Sequence, residues 1–171
     1  MMDKDKLQHH LVSNTTRLYC VLDGASVPDL PKRLYQSQAT SHCLFEGDLE
    51  PAMLHVAPFL VLLSPDNSIT DWVFSNGLGK NWGIFIHSRT SLIDMEKHFS
   101  SLVNVYDERA NSMIFRYYDP RVVRKYLPTC TARELEVFFG RTDAVFAEND
   151  DGESLNSFRV ENNQLVQTVL E

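Results

Sequence analysis

The chain has 171 residues, 43% of them hydrophobic, which fits one domain able to bury about two-thirds of the surface its unfolded form exposes. Its formal net charge is −7, from 16 Lys and Arg against 23 Asp and Glu. An acidic balance without a basic stripe and interleaved aromatics repels a phosphate backbone, which argues against a nucleic-acid partner.

The first residues, MMDKDKLQHHL, hold no apolar signal region, and the longest apolar run, residues 57–63, is broken at Pro58 and too short to cross a bilayer. Neither secretory export nor membrane insertion is expected, which points to the cytoplasm. There the sequon at Asn14 has no use, and Cys20, Cys43 and Cys130, odd in number and without a CxxC, stay reduced. Residues 1–16 read as an N-terminal extension, 17–147 as the main domain and 148–171 as a C-terminal hairpin or tail. Within the main domain, β-type runs recur at LYCVLD (18–23), FLVLL (59–63), WGIFIH (82–87), MIFRYY (113–118) and DAVFA (143–147). Between most of them lie helical spacings: Leu30 with Leu34, then Ile69 with Trp72 and Val73, then Leu92 with Phe99 and Leu102. The alternation predicts a single α/β domain, a mixed β-sheet flanked by short helices. Boundary signals agree, with Ser91 and Asp94 as one capping box and Thr131 and Glu134 as a stronger one, whose helix Gly140 ends; Gly77 ends the helix begun near Ile69. AENDDGES (147–154) reads as a hairpin connection.

The search for chemistry gives little. Residues 76–81, NGLGKN, resemble a phosphate loop, but Phe74 stands where the first glycine belongs and Asn81 where Ser or Thr would hold magnesium. Six histidines offer no HxxxH or HExxH spacing, and His42 beside Cys43 would point to opposite faces of a strand, so neither a metal nor another cofactor is expected. Asp23, a strand-end carboxylate before Gly24, suits an α/β enzyme or, with more weight, a buried arginine's partner. In RYYDPRVV (116–123), Asp119 can cap a helix and Pro120 suits its first turn. Arg121 does not suit that place, because a cation there faces the positive end of the helix dipole. On a period of two, Ile114, Arg116 and Tyr118 share one strand face, so Arg116 needs a carboxylate. Asp23, Asp107 and Asp119 are the candidates for the two arginines, in an ion-pair cluster at a strand-to-helix corner. Trp72 and Trp82 fit core positions better than interface anchors.

Taken in order, LYCVLDGA (18–25), LFEGDLE (44–50), HVAPFLVLL (55–63), WGIFIHS (82–88), IFRYYDPRVVRKYLP (114–128) and VFFG (137–140) resemble the DUF4123 family of type VI secretion adaptor or chaperone proteins. The resemblance spans about residues 17–147. It maps the family's Asp-Pro-Arg onto Asp119, Pro120 and Arg121, the preceding arginine onto Arg116, and the early Asp-Gly onto Asp23 and Gly24, as fold-defining positions. It implies a bacterial cytoplasmic adaptor, not itself an enzyme, that binds an effector and loads it onto the spike protein VgrG. Many relatives are longer, with a further C-terminal region. An immunity-like inhibitor of a basic toxin and a small-molecule enzyme using Asp23 are the alternatives.

Overall fold

The first β-type run becomes the strand on which the sheet is laid. In the computed structural model, which describes residues 4–12 and 15–170, β1 (Arg17–Asp23) is flanked on both sides by antiparallel partners, β3 (Pro58–Leu62) and β4 (Gly83–Ser88). Asn14 of the sequon lies outside the described residues. After its first residue β1 is buried throughout, with Leu18, Cys20 and Leu22 on one face and Tyr19 and Val21 on the other. A strand covered on both faces reads as a continuous apolar run, which is what LYCVL (18–22) is.

The full sheet has the order β2 (Ser41–Cys43), β3, β1, β4, β7 (Ala144–Glu148), β8 (Leu155–Glu161), β9 (Gln164–Leu170). Every pairing in it is antiparallel. The α/β class holds. One face is covered by α1 (Lys4–Leu11), α2 (Leu30–Gln36) and α4 (Ser68–Asn76), through Leu7, Leu11, Leu30, Leu34, Ile69 and Val73. The other is covered by α5 (Leu92–Val103), α6 (Pro120–Tyr126) and α7 (Ala132–Phe139), through Met95, Phe99, Val123, Leu135 and Phe138. The short α3 (Pro51–Val56) buries no side chain.

Local signals explain most boundaries. Both halves of the Thr131–Glu134 capping box form, and Gly140 ends α7 at φ +52°, where an added Cβ would lie 2.7 Å from the His98 ring. Ser91 caps α5, whose buried stripe is Met95, Phe99, Ser100 and Val103, so Leu92 and Leu102 are only half-buried at its margin. Gly77 follows α4 in a right-handed conformation, at φ −92°. AENDDGES joins β7 to β8, and Asn162 and Asn163, both at positive φ, make the tight turn to β9.

MIFRYY is not a strand of this sheet. Only β6 (Ser112–Ile114) is extended, and it pairs with β5 (Asn104–Tyr106) in a separate two-stranded ribbon. Residues 117–120 are buried consecutively, which the alternation of a strand cannot supply. The chain turns instead, with the Asp119 amide donating to the Arg116 carbonyl at 3.0 Å and the Tyr117 hydroxyl to the Phe99 carbonyl at 2.9 Å.

Gly24 sits where β1 passes the end of α3: its N–H donates to the Ala57 carbonyl, and an added Cβ would meet that oxygen at 2.4 Å and the His55 carbonyl at 2.8 Å. Both are backbone atoms that cannot rotate away. Gly24→Ala should therefore cost about 1–3 kcal/mol by overpacking. Denaturant melts test this, and an unchanged midpoint would mean that residues 55–57 shift freely.

Candidate functional site: an ion-paired corner and an apolar ribbon

Asp23 ends β1 and is 2% exposed. Its carboxylate accepts the Ala25 amide at 3.0 Å and the Ser26 hydroxyl at 2.9 Å, and pairs with the Arg116 guanidinium. Three residues on, Asp119 caps α6: its Oδ1 accepts the Arg121 amide at 2.9 Å, and its two oxygens accept Arg121 Nε at 3.0 Å and Nη2 at 2.7 Å. The cap thus supplies the countercharge for the cation in the first turn, which answers the misfit of Arg121 with the helix dipole. Asp107 joins neither arginine. It accepts the Arg109 and Asn111 amides, both at 2.8 Å, and closes the β5–β6 turn.

The charges of the corner act on one another. Burial pushes the Asp119 carboxyl up, but the Arg121 hydrogen bonds and charge outweigh it and hold the group below the usual carboxylate range. Tyr118 is pushed up to about 12, chiefly by burial and then by the charge of Asp23. For Arg116, burial disfavours the cation, and the hydrogen bond and charge of Asp23 more than restore it. Asp23, Arg116, Asp119 and Arg121 therefore form two adjacent, mutually sensed ion pairs. Both guanidinium groups are partly exposed and both carboxylates are buried.

The ribbon that precedes the corner is of different character. Met113 and Ile114 on β6 and Tyr106 on β5 are about half or more exposed, as is Val137 on α7. On one side of the ribbon lies a groove of about 420 Å³, lined by Leu102, Val105, Phe115, Tyr126 and Val137, with Arg133 and Glu134 among its polar lining. On the other lies a smaller one of about 200 Å³, lined by Phe45, Leu49, Met53, Asn104 and Ile114.

A sequence model described as "Domain of unknown function (DUF4123)" matches residues 18–136. The chain belongs to the DUF4123 family. No curated protein and no solved structure matches it. The family match covers the corner and the ribbon and stops inside α7, before β7, β8 and β9. All six positions singled out in the sequence, Asp23, Gly24, Arg116, Asp119, Pro120 and Arg121, lie within the match, and four of them, Asp23, Arg116, Asp119 and Arg121, meet as the two ion pairs. Pro120 is buried at the start of α6, where its missing N–H costs nothing.

Other candidates of this DUF4123 chain are occupied by local contacts. Trp72 and Trp82 stack at 4.7 Å, and the Arg33 guanidinium lies 4.4 Å from the Trp72 ring centroid. Cys20 is buried and its thiol is pushed well up by burial, the reverse of an activated nucleophile. His42 faces Glu96 at 3.6 Å. Among the described residues, no group of three or more His, Cys, Asp or Glu is placed to hold a metal ion.

The false phosphate loop has an occupant that sequence reasoning missed. The amides of Gly79 and Asn81 donate to the two carboxylate oxygens of Glu148, at 3.1 and 2.8 Å. Glu148 is 3% exposed, and burial raises its pKa against the opposing effect of those amides and Arg124. The loop is thus an anion nest filled by the chain's own carboxylate. Its partner lies 69 residues from Gly79, beyond the reach of any local motif.

Two expectations follow. Near neutral pH, Asp119→Asn, which keeps an acceptor for the Arg121 amide, should cost about 0.5 kcal/mol, and Asp119→Ala, which loses cap and pair, about 1–2 kcal/mol. Because its folded pKa is depressed, Asp119 contributes fully above the ordinary value of 3.8, and this is lost as pH falls through the folded value. The gap between parent and Asn variant in urea melts should therefore shrink on acidification to about pH 3; a constant gap would remove the ion pair from the account. Glu148→Ala strands two amides and should cost about 1–3 kcal/mol, read as a lower Tm. An unchanged Tm would mean that water satisfies them as well.

Proposed function

We propose that this chain is a type VI secretion adaptor: it binds a cognate effector protein in the bacterial cytoplasm and promotes its loading onto the spike protein VgrG, with no catalytic step of its own. The reading rests on family membership and on one structural observation. Asp23, Arg116, Asp119 and Arg121 are spent on one another inside the fold, while the ribbon beside them and the adjoining α7 expose apolar side chains, Tyr106, Met113, Ile114 and Val137, beside two grooves. Large apolar side chains left exposed close together are a common mark of interaction sites. Asp23, the residue on which an enzyme reading would depend, has its carboxylate engaged by Arg116, Ser26 and the Ala25 amide. No described helix is long and apolar enough to cross a membrane. The adaptor's work would be done by linkage, since a protein that binds only the assembly-competent form of its cargo stabilises it by about 2.7 kcal/mol at a hundredfold excess over Kd.

The test is direct. The purified chain is mixed with a VgrG spike protein and with the candidate effectors of the same bacterium, and the mixtures are separated by size. Co-elution with both at micromolar concentrations, where a Kd of ~1 μM corresponds to about −8.2 kcal/mol, is expected. Binding of a toxin that blocks its activity, without binding of the spike, would instead make the chain an immunity-like inhibitor.

A further inference from the structure

The ribbon's hydrogen-bond parity decides which of its backbone groups are free. The Phe115 amide donates to the Val103 carbonyl at 2.7 Å and the Asp107 amide to the Asn111 carbonyl at 3.1 Å, and the register between them pairs Asn104 with Ile114, Val105 with Met113 and Tyr106 with Ser112. In an antiparallel ladder, bonded and non-bonded pairs alternate. Val103–Phe115, Val105–Met113 and Asp107–Asn111 are then the bonded pairs, so the N–H and C=O groups of Ser112 and Ile114 point away from β5. They meet no partner among the described residues.

Natural edge strands are commonly blunted by brevity, charge, proline or a covering element. β6, Ser-Met-Ile, is short, but it is exposed along its whole length and carries neither charge nor proline. The same parity sorts its side chains. Ile114 lies on the face of the Phe45, Leu49 and Met53 groove, and Met113 lies on the opposite face, with Val105 and Phe115 and their larger groove. A strand laid against β6 would send successive side chains alternately to these two faces.

We propose that β6 is a docking edge for an extended segment of the partner protein, which adds as a third strand to the ribbon and seats alternate apolar side chains in the two grooves. The unpaired amides and carbonyls set the backbone part of recognition, and the two grooves set the side-chain preference. This rests on the adaptor reading and names how its partner is gripped.

The experiment uses the full chain, the purified effector that co-elutes with it and overlapping synthetic peptides that tile that effector. Ile114→Pro removes one outward N–H and keeps an apolar side chain, a change that edge positions tolerate. Ile114→Lys instead places charge against the smaller groove. The expected result is a loss of at least tenfold in affinity for both variants with Tm near the parent's, one apolar peptide that competes with the effector, and protection of the Ser112 and Ile114 amides from hydrogen exchange in the complex. Exchange in the parent complex does not depend on how the variants fold. If the effector binds while those amides stay unprotected, the docking edge is wrong and the adaptor reading stands. Protection in the chain alone at high concentration, with dimer formation, would assign the edge to a second copy and overturn the proposal. If the parent binds neither effector nor spike, both readings fall together.

Discussion

A carboxylate almost wholly removed from water at the end of the central strand imposes a requirement on the rest of the fold. Left unpaired, such a group costs several kcal/mol or gives up its charge. Asp23 meets the requirement with the turn that follows it, through Ala25 and Ser26, and with Arg116, 93 residues along the chain. Through that pair the end of β1 is tied to the connection between the ribbon and α6. Because β1 lies between β3 and β4, the tie fixes that connection to the middle of the sheet and not to its rim. Asp119 and Arg121 extend the same electrostatics by one turn of chain, and each ion pair senses the charge of the other.

This arrangement divides the surface by chemistry. Arg116 and Arg121 are partly open to solvent, yet each is already neutralised by a buried acid, so the corner offers little net field to a ligand. Glu148 does the same in reverse for the loop at 77–81, filling a nest of amides that would otherwise suit a phosphate. With both charged features internally balanced, the strand β6 beside the corner presents apolar side chains and unpaired backbone. Association through such groups is driven by burial of area and by main-chain hydrogen bonds, and depends only weakly on salt.

What could be read in the sequence was whatever is encoded within one turn or one strand. Thr131 and Glu134 form their capping box, Asp119 caps α6, and the alternation of β1 between its two faces follows from its unbroken apolar run. The run 113–118 departs from the strand its composition predicts: its residues have high β-propensity, but propensity describes fit to a half-buried pleated surface, and after Ile114 no such surface exists. Burial of four successive residues and the pull of Asp23 on Arg116 override it. Candidate partners for the arginines could be named by elimination, yet which acid met which base depended on chain crossings that no local spacing records. Glu148 was invisible for the same reason, as was the edge of β6, whose openness is a property of what does not lie beside it.

The ribbon's stiffness joins these points. A free edge is useful for recognition only if it is already shaped, since ordering a mobile segment on binding subtracts from affinity. Here the tip is closed by Asp107, which holds the Arg109 and Asn111 amides and, at 2.9 Å, the Asn111 side chain. Those hydrogen bonds draw its carboxyl below the usual range, which is the electrostatic signature of a turn that favours the charged form. The base is held on one strand by Val103, in the last turn of α5 and buried in the core, and on the other by Phe115, which bonds to it and leads at once into Arg116. A three-residue strand with both ends anchored has few conformations left to lose. The buried acid at the end of β1 thus does more than satisfy itself: by holding Arg116 it sets the exit of β6, and with it the direction in which the unpaired groups of Ser112 and Ile114 face.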